Sequence, residues 1–227
     1  MKILNTNDIA ATRAAMLVVG PSGIGKTSLV KELPESETLI ISMESGLLCL
    51  QGTNYPVIEV KTRDELNEVC AFLQTSTLYK YIFIDSLTEL GQLVLAELKQ
   101  DPKLADPKNS FLLWGKYAEL VTAYIKFFRD LDANVVMTCL EGTGEDGLEK
   151  ICTFNIPGAS IKDNIKSWFD ICLVYKIFQN DNKEKFRKLV TSQEDHSLAK
   201  DRSGKLRPYE APNLRDIFSK ILKGENK

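Results

Sequence analysis

A chain of 227 residues with 44% hydrophobic content can bury one sizeable core, and no Gly/Ser-rich or Pro-rich linker divides it into halves. Its 29 Lys and Arg against 31 Asp and Glu leave a net charge of −2, which is not the strongly basic footprint of a non-specific nucleic-acid binder. No apolar run approaches the roughly 18 residues of a membrane span, and Met1-Lys2-Ile3-Leu4-Asn5 lacks the apolar core of a secretory signal, so a soluble, cytoplasmic protein with no membrane partner is expected.

Ala15 to Val19 is an unbroken apolar run and reads as a buried strand. It leads into Gly20-Pro21-Ser22-Gly23-Ile24-Gly25-Lys26-Thr27, a G-x-x-x-x-G-K-T loop whose glycines let backbone N–H groups wrap a phosphate. A helix is expected to start near Lys26 and stop before Pro34, its N-terminus facing the same anion. Lys26 then reaches the β and γ phosphates of ATP and Thr27 offers its hydroxyl to Mg²⁺, while Ser28 closes the nucleotide-binding set on helix surface.

Further along, Leu39 to Met43, Val57 to Val60, Tyr81 to Ile84, Val135 to Cys139 and Ile171 to Tyr175 read as strands. Arg63 to Gln74 carries Leu66, Val69, Cys70 and Leu73 at helical spacing, and Phe111 to Leu131 is a second long helix. The alternation predicts an α/β fold of three layers, a mostly parallel sheet between helices. Tyr175 to Gln179 and Phe186 to Val190 flank a polar segment and predict an appended β-hairpin, and Leu214, Ile217, Phe218, Ile221 and Leu222 an amphipathic helix that docks on its own domain or on a neighbouring subunit. One domain over residues 1–227 is expected, with a core at about 12–176 and the extensions after it.

Asp85 ends the apolar strand Tyr81-Ile82-Phe83-Ile84, the position from which a carboxylate holds the Mg²⁺ shell. Ser86 follows where a catalytic Glu often stands, so a water-orienting base must come from elsewhere. Glu44 closes the strand before it in sequence at the carboxyl edge of the sheet, where ligands of open α/β sheets gather. Its competing role is an N-cap or first-turn acid of the next helix, and Glu89 is a rival base.

Gly20 to Thr27, an acid in Ser42-Met43-Glu44-Ser45-Gly46, and Ile82-Phe83-Ile84-Asp85-Ser86 together resemble the RecA-type P-loop ATPase core. The resemblance implies that Glu44 is the catalytic base and that the polar, Gly-rich stretch from Glu141 to Gly158 is a DNA-binding loop. It also implies that Lys200 and Arg202, in Ala199-Lys200-Asp201-Arg202-Ser203-Gly204, are the cationic pair that RecA-type recombinases and hexameric helicases insert into a neighbour's ATP site. Alternation along an extended segment would send both side chains off one face; a solvated basic loop is the plainer reading, and Arg207 an alternative finger. The family's usual Gln or His sensor is replaced by the region of Thr138, Cys139, Leu140 and Glu141. The chain is similar to the core-only RecA-like proteins of bacteriophages, the phage nucleotide-binding or AAA-domain proteins, some of which support single-strand annealing. The partners so implied are single-stranded DNA, further copies of the chain in a head-to-tail oligomer, and a single-strand DNA-binding protein. An ATP-controlled DNA-binding or partner-loading module and a small-molecule P-loop kinase are the alternatives.

Five cysteines without C-x-x-C spacing read as small hydrophobes rather than zinc ligands, and the single His196, in a polar stretch, as solvated. For DNA, one candidate surface is Lys99 to Lys116, with Lys103, Lys108 and Lys116 among Phe111 and Trp114. Phe111 and Trp114 lie one turn apart and read first as a core-facing pair. The other surface is Glu141 to Lys166, where Lys150, Lys162 and Lys166 face the acids Glu145, Asp146 and Glu149.

Overall fold

The computed structural model describes residues 12–44, 46–146 and 149–222. Strands β1 (Ala15–Gly20), β2 (Thr38–Ser42), β3 (Val57–Glu59) and β4 (Tyr81–Asp85) are interleaved with short 3-10 segments and helix α1 (Arg63–Thr75). Helices α2 (Leu87–Leu98), α3 (Pro102–Ala105) and α4 (Ser110–Arg129) lead to β5 (Asn134–Asp146) and β6 (Glu149–Phe154). Then come α5 (Ala159–Trp168), β7 (Ile171–Gln179), β8 (Lys185–Val190), β9 (Lys200–Asp201), β10 (Tyr209–Glu210) and α6 (Leu214–Ile221).

One sheet runs in the order β10-β8-β7-β1-β5-β4-β2-β3. The six strands from β7 to β3 are parallel, whereas β6, β8, β9 and β10 join antiparallel. Both faces are covered, which is why β1 is buried at every position. Ala15, Leu17 and Val19 face a cluster that includes Leu66 of α1, Leu90 of α2, Tyr117 of α4 and Ile161 of α5. Met16 and Val18 face a second cluster with Leu29, Leu50 and the apolar side of α6. Among the described residues no helix is long and apolar enough to cross a membrane.

Local signals set the helix ends. Thr62 accepts from the Glu65 backbone N–H at 3.2 Å while the Glu65 carboxylate accepts from the Thr62 N–H at 3.1 Å, a reciprocal cap that starts α1. Asn213 caps α6 by accepting from the Asp216 N–H at 3.0 Å. The apolar stripe of α6 lies on its own sheet: Phe218 is buried with its ring 5.4 Å from that of Tyr81, a burial that contributes about 1.5–3 kcal/mol.

The helix expected after the glycine-rich loop is present between Lys26 and Pro34 and is of 3-10 type, Thr27–Glu32. Pro34 holds Leu33 in an extended conformation, φ −100° and ψ 152°, which ends the segment there. The expected loop from Glu141 to Gly158 is largely a β-hairpin, with Glu141 opposite Phe154 and Thr143 opposite Cys152. Its Thr, Ile and Phe residues favour a pleated surface, and pairing satisfies backbone groups a loop would leave to water. The side chains of Asp146, Glu149 and Lys150, and all of Gly147 and Leu148, lie outside the described residues.

Candidate active site

Parallel register carries the chemistry to one edge. The carboxyl end of β1 delivers the loop from Gly20, β2 ends beside Glu44, and β4 ends at Asp85, directly across from Ser42. Gly23 and Gly25 take φ of +73° and +105°, and nothing stands within 4 Å of a Cβ built on Gly23, so the loop is open on the side where a phosphate would rest. Lys26 is buried, and its Nζ donates to the carbonyls of Gly20 at 2.9 Å and Pro21 at 3.0 Å. Burial lowers its pKa, opposed by the charges of Glu44 and Asp85. An incoming phosphate would offset that desolvation.

Thr27 Oγ1 donates to Asp85 Oδ2 at 2.6 Å, and the hydroxyl of Thr138 on β5 donates to the other Asp85 oxygen. The pair Thr27 and Asp85 offers only oxygen ligands, the donor set that a small hard cation takes, so these residues fit Mg²⁺. Thr138 thus holds the Asp85 carboxylate in position, a contact not evident from the sequence. Its one signal is a hydroxyl inside an otherwise apolar strand.

Glu44 is held from three sides. Its N–H reaches the Asp85 carbonyl at 3.3 Å, its carbonyl accepts from the Ser42 hydroxyl at 2.7 Å, and its Oε1 accepts from the Ser86 hydroxyl at 2.5 Å. The capping role is corrected: the next helical segment, Leu47–Leu50, starts at Gly46 with no acid in its first turn. Ser86 also accepts from the Glu89 N–H at 3.3 Å, so one serine starts α2 and orients Glu44. Glu89 is half-buried, and burial followed by the Glu44 charge raises its pKa.

Lys200 and Arg202 are not brought to this edge. Lys200 pairs with Cys172 and Asp201 with Ile171, near the amino ends of the parallel strands. Asp170, which accepts from the Ala15 N–H at 3.1 Å at the start of β1, also accepts from Arg202 Nη1 at 2.9 Å. The glycine-rich loop starts about 16 Å further along β1. The two side chains do leave together, both toward the end of α5 and the turn into β7. Lys200 Nζ donates to the carbonyls of Lys166 and Phe169 at 2.9 and 2.7 Å, and Arg202 Nη2 donates to the Ser167 carbonyl at 3.1 Å, so both cations end α5, with the Arg202 side chain the more exposed. Arg207 is exposed, and it is its backbone that is tied down, the N–H donating to Glu210 Oε1 at 3.0 Å and the carbonyl accepting from the Thr191 hydroxyl at 2.5 Å.

His196 is 7% exposed rather than solvated, and its ring nitrogen, the Cys152 sulfur and a Glu141 oxygen lie within 4.8 Å of one another. Nδ1 accepts from the Leu198 N–H at 3.2 Å, which leaves Nε2 to donate to Glu141 Oε1 at 3.1 Å. A ring bound to metal through Nε2 would instead need Nδ1–H and an acceptor, so the trio is a closed hydrogen-bond set tying the hairpin to the segment before Lys200. Burial, with Lys176 and Lys166, lowers the His196 pKa against the pull of Glu141. The unfolded ring therefore takes up its proton first as pH falls, and below the ordinary histidine pKa folding loses stability. Between about pH 7 and about pH 5, thermal melts of the native chain should fall more steeply than those of His196→Gln; parallel curves would remove this role.

A model of the family described as AAA domain matches residues 12–203. Comparison with curated proteins finds no match. The matched span holds the glycine-rich loop and the Asp85 and Glu44 strand ends, and the chain belongs to the AAA domain family of P-loop nucleotide-binding proteins, whose domains are typically ATPases.

Proposed function

We propose that the chain is a Mg²⁺-dependent ATPase of RecA type that assembles head to tail, with ATP at the subunit boundary, and acts on single-stranded DNA in recombination or annealing. The observation that carries this reading is the split between two edges. Lys26, Thr27, Asp85 and Glu44 gather at the carboxyl edge, while Lys200 and Arg202 stand at the amino edge, where a phosphate they touch must belong to another subunit. A contact of that kind is heterologous and builds a ring or a filament.

In hydrolysis the loop N–H groups between Ser22 and Ser28, with Lys26, hold the phosphates, and Glu44 orients a water and takes its proton as the water oxygen bonds to the γ-phosphorus and the bond to the ADP oxygen breaks. Glu44 suits this because Ser86 and the Asp85 carbonyl fix its position without neutralising it. Mg²⁺ held at Thr27 and Asp85 would supply neutralisation of the charge that builds on the phosphate oxygens. The test is the steady-state rate of ATP hydrolysis with and without single-stranded DNA, across protein concentration at stated low salt. Stimulation by DNA and a rate per subunit that rises with concentration are expected. A rate indifferent to both would sink the assembled DNA-dependent ATPase.

A further inference from the structure

We propose that the head of α4 is the stacking platform for single-stranded nucleic acid, with Phe111 and Trp114 taking bases and Lys103 and Lys108 taking the flanking phosphates. This rests on the single-strand reading above and places its surface.

The expected core-facing pair is on the outside: Phe111 is 86% exposed and Trp114 42%. The buried stripe of α4 runs through Leu113, Tyr117, Val121, Ile125 and Phe128, so Phe111 points away from it. Phe111 and Trp114 are three residues apart and share a side of the helix. Trp114 is also fixed in orientation, its ring 5.6 Å from that of Tyr117 at 83°. Tyr117 itself is fully buried against Gly158 and Gly91. An exposed Phe beside a braced Trp is apolar surface that the fold does not use.

Exposed cations stand on the two short turns that lead into the ring-bearing end of α4. Residues 99–116 hold four lysines and two aspartates. Asp101 accepts from the Lys103 N–H at 2.8 Å and Asp106 from the Lys108 N–H at 2.9 Å, so each acid caps its own turn while the lysine side chains stay exposed. Asn109 donates to the Lys103 carbonyl at 2.7 Å and ties the two turns together ahead of α4. Lys116 is paired with Glu119 and drops out. A purely apolar partner would desolvate Lys103 and Lys108 at its rim with nothing to pair them. Cations next to exposed π-faces are instead what single strands bind.

Trp114 and Trp168 are the two tryptophans, so in a Trp168→Phe background Trp114 reports directly on stacking. Titration with oligo(dT) at low salt should quench its emission to saturation. Phe111→Ala should weaken binding by about 5- to 100-fold, and Lys103→Gln with Lys108→Gln should flatten the salt dependence. ATP binding should be unchanged, and Phe111, standing outside the core, can be removed without unfolding the chain. Binding without quenching, and with Phe111→Ala as tight as the parent, would overturn the platform and leave the functional reading intact. Quenching by oligo(rU) alone would keep the platform and sink its DNA role. No binding at all, or a Phe111→Ala effect confined to sedimentation, would overturn the proposal, the latter by making the face a contact between copies.

Discussion

Arg202→Ala is expected to lower ATP turnover by about 10³- to 10⁵-fold, the range over which a cationic finger stabilises phosphoryl-transfer charge. The fold should survive the change. The ion pair of Arg202 with Asp170 has both side chains well exposed, and such a pair contributes about 0–1 kcal/mol. The amino-edge position of Arg202 makes the prediction sharper than a simple loss. A chain carrying Arg202→Ala keeps an intact Lys26, Thr27, Asp85 and Glu44, and a chain carrying Lys26→Ala keeps an intact finger. Mixed, the two inactive variants should recover part of the hydrolysis rate, because some boundaries join a good loop to a good finger. A mixture as inactive as its parts would place Arg202 outside the neighbour's site.

Replacing Glu44 with Gln should reduce turnover by about 10²- to 10⁴-fold, the usual contribution of a general base, with ATP affinity retained. The substitution is conservative in the sense that matters. The Gln carbonyl can still accept from Ser86, and the backbone bonds to Asp85 and Ser42 are untouched. What is lost is the negative charge facing the water. Single-turnover hydrolysis beside equilibrium binding of labelled ATP separates the two quantities. A Glu44→Gln variant that hydrolyses normally would move the base elsewhere, and Glu89, half-buried nearby with a raised pKa, is the next carboxylate to change.

The sequence by itself determined what is local or contiguous. Gly20 to Thr27 is one uninterrupted segment, so its glycines, lysine and threonine are readable without knowing the fold. The apolar runs announce the parallel strands because a strand covered on both faces needs apolar side chains at every position. Asp85 and Glu44 were legible for a related reason: each is a carboxylate at the end of such a run, and the ends of parallel strands share an edge.

Only the tertiary structure decided what depends on residues far apart in the chain meeting one another. Thr138 finds Asp85 because β5 lies next to β4, and Ser86 finds Glu44 because β4 lies next to β2. His196 is buried because the segment before β9 folds over the base of the β5–β6 hairpin, bringing Glu141 and Cys152 to its ring. Lys200 and Arg202 alternate in sequence and leave one face, but that face lies on the end of α5 and Asp170 at the amino edge, which the spacing of the two residues does not reveal. Phe111 and Trp114 carry helical spacing that suits a core or a surface equally. Which one they line depends on how α4 is rotated against α2 and α5, and a period of 3.6 residues does not fix that angle.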